Sequence, residues 1–166
     1  MSGTRTRTVD FEDPEALVAA AQGKAGIDVL RELASGKLPA APIQVTLGFD
    51  LVDVQDGFAS FRCIPGEHLF GATGAVHGGV AATLLDSAMG AAVMATLDAA
   101  SGYATANLNV HLTRSISLRT GRMTVEGWVV HRGSRLVTAE ARLNDEQGRL
   151  LAHGTATYSL TERQGP

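Results

Sequence analysis

From Gly78 to Leu97 the chain carries one ionisable side chain, Asp86. The stretch opens His77-Gly78-Gly79 and runs on through Val80, Ala81, Ala82, Thr83, Leu84, Leu85, Asp86, Ser87, Ala88, Met89 and Gly90. This pattern reads as a glycine turn that opens a helix apolar on nearly every side, and a helix without a polar face is a buried one. Such a helix needs a surface that wraps it, and a curved antiparallel sheet meets that need. A carboxylate inside it is costly unless it is paired, protonated or wetted by a site. Folding alone favours Ala or Leu at that position, so Asp86 points to function.

The segments on either side fit this picture. Asp13-Pro14-Glu15 reads as a helix start: a capping acid, a proline at the first helical position, then an acid at the positive end. Helices are expected near 14–22 and 25–35, parted at Gly23 and closed by Gly36, Pro39 and Pro42. Residues 1–12 read as disordered or loosely attached. Strand character is expected from Val45, with Leu47, Phe49 and Leu51 alternating, then a hairpin turn at Gln55-Asp56-Gly57 and a return over Phe58 to Ile64. A loop from Pro65 to Val76 leads into the long helix. Four more strands are expected after it: Thr105 to Arg114, Met123 to His131, one around Val137 to Leu143, and Leu150 to Leu160. In the first of these, Leu108, Val110 and Leu112 alternate with Asn107, Asn109 and His111. The expectation is an α+β chain. It has an N-terminal extension over 1–43 with short helices, one domain over 44–160 in which an antiparallel sheet wraps the helix 78–97, and a tail over 161–166.

The bulk properties exclude several function classes. A formal charge of −3 argues against general nucleic-acid binding. Charge is unevenly spread: between Lys37 and Arg114 the one basic residue is Arg62 against six acids, whereas Tyr103 to Arg135 holds five arginines and one acid, Glu126. A local basic surface of that kind suits a phosphorylated ligand. Cys63 is the one cysteine, so neither an intrachain disulfide nor a cysteine metal cluster is expected. His111, His131 and His153 fall on different strands at no metal-ligand spacing, and no metal is expected. The apolar run reaches bilayer length, but it has three glycines, a central Asp and no flanking cationic cluster, so it reads as a core helix. The N-terminus MSGTRTRTVD lacks the apolar segment of a secretory signal, and the expected location is the cytoplasm.

The helix start offers chemistry. Its first N–H groups have no partner within the helix and sit at the positive end of its dipole. Glycines there let a substrate approach the backbone. An oxygen gaining negative charge, such as a thioester carbonyl under attack, is stabilised at such a place, and Asp86 could attack the carbon or activate a water. Gly78 and Asp86 are eight residues apart, about 12 Å along a helix. They cannot both reach one carbonyl from one straight helix. Two antiparallel helices in a symmetric dimer could bring Gly78 of one subunit to Asp86 of the other, so an active site here would be shared.

The pattern HGGVAATLLDSAMG resembles the signature of PaaI-type hotdog-fold acyl-CoA thioesterases. Gly74-Ala75-Val76, the strand Thr105 to Val110, the turn Val129 to Arg135 and the stretch Asp145 to Leu150 fall in the matching order. The resemblance covers residues 44–160 and implies a single hotdog domain, a homodimer or a homotetramer built as a dimer of dimers, and hydrolysis of an acyl-CoA to free acid and CoA. It implies no cofactor, CoA being part of the substrate, and no membrane partner. By the same resemblance Asp86 is the catalytic carboxylate, the Gly78 N–H polarises the carbonyl, and His77 is an orienting residue. Gly79 and Thr105 lie at the substrate, and Gly133, Ser134 and Arg135 lie along CoA. Gly71 departs from the pattern, standing where similar proteins carry Asn or Gln. Two other readings stay open at this point: hydration or dehydration of an acyl thioester, and acyl-CoA binding without turnover.

Overall fold

The computed structural model describes residues 3–162. Three short helices, α1 (Pro14–Ala20), α2 (Gly26–Ala34) and α3 (Pro42–Leu47), precede the first strand. The N-cap carboxylate of Asp13 accepts from the Glu15 N–H at 3.0 Å, as the sequence implies for the start of α1. Strand character does not begin at Val45. Pro42 takes the first helical position of α3, and Gly48, with φ +75, ends that helix before the chain turns into β1. Proline fixes a helical φ and glycine supplies the left-handed stop. Those two residues override the alternation of Leu47 with Phe49. Residues 3–13 form neither helix nor strand. Arg5 pairs with Glu67 at 2.5 Å, and Arg7 donates to the carbonyls of Val45 and Thr46.

The domain proper consists of β1 (Phe49–Gln55), β2 (Phe58–Cys63), the long helix α4 (Gly78–Met94), β3 (Ser101–Leu112), β4 (Met123–Arg132), β5 (Leu136–Asp145) and β6 (Leu150–Glu162). The six strands form one antiparallel sheet in the order β1-β2-β4-β5-β6-β3. β6 runs on to Glu162, into the stretch expected as a tail, and residues 163–166 lie outside the described residues. The sheet curls around α4, which touches every strand. Leu84, Leu85, Met89 and Val93 are fully buried on the helix, against Val125, Val137, Leu143 and Tyr158 of the sheet. Each such apolar side chain contributes about 1.5–3 kcal/mol of burial free energy.

The helix crosses the sheet most closely at β4. A Cβ on Gly127 would stand 2.5 Å from the Ala88 carbonyl carbon and 2.7 Å from the Met89 nitrogen. Backbone cannot withdraw as a flexible side chain can. Gly127→Val is therefore expected to destabilise the fold by about 3 kcal/mol or more, at the upper end of the overpacking range. Denaturant unfolding monitored at Trp128 checks this.

Two surfaces remain open. One is the β3 edge of the sheet, opposite the β1 edge: β3 pairs on one side only, with β6, and most of its twelve residues are exposed, Leu112 at 56%. The other is a stripe along α4 through Gly79, Ala82, Thr83, Asp86 and Ser87, which the sheet leaves exposed or half-buried. The stripe lies beside the open edge, because Gly78, Asp86 and Gly90 of α4 meet Leu112, Thr105 and Tyr103 of β3 in turn.

Candidate active site

Asp86 sits at the middle of the stripe, half-buried. Its Oδ1 accepts from the Tyr158 hydroxyl at 3.1 Å and from Thr105 Oγ1 at 3.2 Å. Oδ2 has no partner among the described residues. Tyr158 is fully buried on β6, and Tyr103 packs edge-on against it with ring centroids 5.5 Å apart. Burial foremost, and the Asp86 charge second, push the Tyr103 hydroxyl up to about 12. The same two causes push Tyr158 higher still. Both tyrosines therefore stay protonated, as donors, at neutral pH.

Thr105 reaches Asp86 because of a bulge. The inward-facing set on β3 is Leu108, Val110 and Leu112, opposite Ala156, Gly154 and Ala152 of β6. Strict alternation would turn Thr105 outward with Asn107 and Asn109. The register shifts between Thr105 and Asn107, so Thr105 faces Tyr158 on the inner side. Bulges commonly re-aim a side chain beside an active site.

The helix start is built by His77. Its Nδ1 accepts from the Gly79 N–H at 3.0 Å, and its carbonyl accepts from Val80 at 2.9 Å. The His77 N–H is itself tied to the Leu69 carbonyl at 2.9 Å, which anchors the loop to the helix. The Gly78 N–H has no partner among the described residues. Gly78 lines a cleft of about 230 Å³ together with Val76, Ala81 and Leu112 through Ile116. A Cβ on Gly79 would stand 2.8 Å from His77 Nδ1, so the glycine makes room for the cap. Gly71 sits in a tight turn, its N–H on the Ala75 carbonyl at 2.8 Å.

A second cleft, of about 490 Å³, shares Arg114 and Ser115 with the first and adds Arg119 and Arg149. Arg149 is fixed in place: its Nε donates to Asp145 at 2.6 Å, and a second guanidinium nitrogen donates to Gln147 at 3.1 Å. Burial alone would raise the Asp145 carboxyl. Hydrogen bonds from the Arg149 N–H and guanidinium and from the Gln147 N–H hold it below the usual carboxylate range instead. No ion pair involves Arg114 or Arg119 among the described residues.

The structure thus brings Asp86 together with Thr105, and His77 with Gly79. It keeps Gly78 two helical turns from Asp86, about 12 Å away along α4. Gly133, Ser134 and Arg135 form the β4–β5 turn, at the Asp86 end of the sheet: the Arg135 carbonyl accepts from Leu160, beside the Ser159–Ala104 pair. The residues missed in the sequence are Tyr158, Tyr103, Leu112, Arg119 and Arg149. Tyr158 had a signal, because it lies on the apolar phase of β6 with Ala152, Gly154 and Ala156, and a buried Tyr hydroxyl needs a partner. No three of His, Cys, Asp and Glu gather as metal ligands among the described residues, and no described helix is long and apolar enough to cross a membrane.

A curved sheet around one long helix, with a lone carboxylate on the helix, defines the hotdog class. The sequence model of the thioesterase superfamily matches residues 73–152, from the loop before α4 into β6. Solved structures share the architecture. A thioesterase family protein of Silicibacter pomeroyi superposes with a TM-score of 0.71 at 23% identity, covering 81% of this chain and 99% of its own. A phenylacetic acid degradation-related protein of Ralstonia eutropha gives 0.70 at 24%, covering 78% and 98%. The PaaI protein of the E. coli phenylacetic acid degradation operon gives 0.69 at 18%, covering 82% and 94%. No curated protein matches the sequence. The thioesterase superfamily model thus matches the long helix and most of the sheet, and the solved structures share the hotdog fold of this chain.

Proposed function

We propose that the protein is a cytoplasmic acyl-CoA thioesterase, needing no metal or cofactor, whose site is completed by a second copy docked along the β3 edge. The observation that carries this reading is Asp86: one oxygen is held by two hydroxyls, and the other is unpartnered on an open helix stripe beside an edge strand that is paired on one side only. Antiparallel pairing of two β3 edges sets the Leu112 end of one against the Thr105 end of the other. The Gly78 N–H of one subunit then faces Asp86 of its partner across one substrate carbonyl. The helix-start N–H stabilises the oxyanion as charge develops. Asp86 Oδ2 either attacks the carbonyl carbon, expelling the thiolate and giving an anhydride that water then cleaves to the free acid and Asp86, or takes the proton of an attacking water. On either route the C–S bond breaks and the thiolate takes up the proton that the water gives up. His77 holds the helix start, its Nδ1 occupied by the cap, which favours hydrolysis over proton transfer at the acyl carbons.

The basic cleft supports CoA as the thiol carrier. Arg114 and Arg119 of the Gly78 subunit suit the phosphates, and the Gly133–Arg135 turn of the partner approaches the same rim. Arg114→Ala and Arg119→Ala are each expected to lower kcat/KM for an acyl-CoA about 10-fold, the scale of one charge-assisted hydrogen bond. The same acyl group on pantetheine, which lacks the nucleotide, should be hydrolysed equally by variant and parent. The reading as a whole is tested by free-thiol release from short, medium and aryl acyl-CoAs. Turnover of at least one supports it, and CoA-ester binding without turnover on any would overturn it.

A further inference from the structure

We infer that Tyr158 is a positioning residue that holds Oδ1 of Asp86 and so leaves Oδ2 as the oxygen that acts on the substrate. This rests on the hydrolase reading for its consequence, though the contact itself does not. The Tyr158 ring is fully buried, packed edge-on against Tyr103, and its hydroxyl has little freedom to leave. Tyr103 in turn occupies the space left by Gly90: a Cβ there would stand 3.1 Å from the Tyr103 hydroxyl. Thr105 arrives from the other side through the β3 bulge. The two donors therefore converge on one oxygen from two strands.

The Tyr158 hydroxyl has a second acceptor. The main-chain carbonyl of Asp86 lies 3.2 Å away, close to the 3.1 Å of Oδ1. One proton serves two acceptors, and it follows the negative charge. While Asp86 is ionised, the hydroxyl donates to Oδ1. When that charge is consumed, in an acyl intermediate or by a proton taken from water, the hydroxyl turns to the carbonyl. No buried donor is stranded at either stage, which matters because an unsatisfied one is costly.

The test is Tyr158→Phe, which keeps the ring and removes the hydroxyl. The Asp86 carboxyl carbon is observed by ¹³C NMR, and kinetics are measured in parallel. The inference expects a changed carboxyl chemical shift and a kcat lower by about 10- to 100-fold at nearly constant KM. Thr105→Val should act the same way more weakly, and Thr105→Ser should restore the parent behaviour. An unchanged carboxyl signal in folded Tyr158→Phe protein overturns the inference, as does parent-like kcat. Absence of turnover in the parent would instead count against the hydrolase reading, and the carboxyl signal would still decide the hold on Asp86. If Tyr158→Phe fails to fold, the Thr105 pair decides the matter by the same two measurements.

Discussion

Asp86→Ala is expected to lower thiol release by on the order of 10³-fold or more while leaving the fold intact. Asp86 is the one ionisable residue of α4, so the helix offers no second carboxylate to the proposed reaction. Removing an attacking or proton-accepting group costs a rate factor of about that size. Stability should not fall with it. The Tyr158 hydroxyl keeps the main-chain carbonyl of residue 86 as an acceptor, and Thr105 stands at an exposed strand edge. Giving up a half-buried charge on an otherwise apolar helix should be neutral, or stabilise by up to about 1 kcal/mol. Thermal unfolding and the assay on one preparation separate loss of chemistry from loss of structure. Parent-like turnover in the variant would remove Asp86 from the mechanism.

The second large effect tests the sharing of the site. Gly78→Pro removes the one N–H that the mechanism assigns to the carbonyl. Proline suits the first position of a helix, and the nearest obstacle is the flexible end of Leu112, 2.6 Å from a Cβ at Gly78. The variant should fold and lose about 10²–10³-fold in kcat, the usual loss for one oxyanion donor. Mixed with Asp86→Ala, it should recover activity. A heterodimer of the two holds one site with both changes and one with neither, so it should work at about half the parent rate. If Gly78 and Asp86 served one site within a single subunit, every site in the mixture would be damaged and nothing would return. Co-expression with two affinity tags isolates the heterodimer for the assay.

The central helix was legible because burial on all sides leaves a compositional mark that no other structure explains. The lone acid on it was legible for the same reason. Helix α1 is legible from Asp13 and Pro14 at its start and α2 from Gly23 and Gly36 that bound it, whereas the α3 segment reads as strand because Val45 and Leu47 fit a strand's alternation. Pro42 and Gly48 were the better evidence there. The Asp86–Thr105 contact could not be read from periodicity, since the alternation of Leu108, Val110 and Leu112 puts Thr105 on the wrong face. Only the bulge corrects it, and an extra residue in one strand leaves no pattern of its own. The arginine cleft gathers Arg114, Arg119 and Arg149 from two separate connections, a juxtaposition that depends on the curl of the sheet. Tyr158 is within reach: its phase on β6 says buried, and a buried hydroxyl facing an apolar helix turns to the one carboxylate that helix carries.

The β3 edge has a consequence for how such a site tolerates variation. Two copies joined edge to edge can slide in steps of two residues without turning any side chain over, and each step is about 7 Å. That is more than half the separation of Gly78 and Asp86 along the helix. A slipped dimer would keep most of its ladder hydrogen bonds, yet its two half-sites would no longer meet. The irregular ladder of β3, with its single extra residue near Thr105, makes the permitted alignments unequal. In the proposed dimer, the bulge that aims one hydroxyl would thus also act as an index mark, setting where along twelve residues the two molecules come to rest.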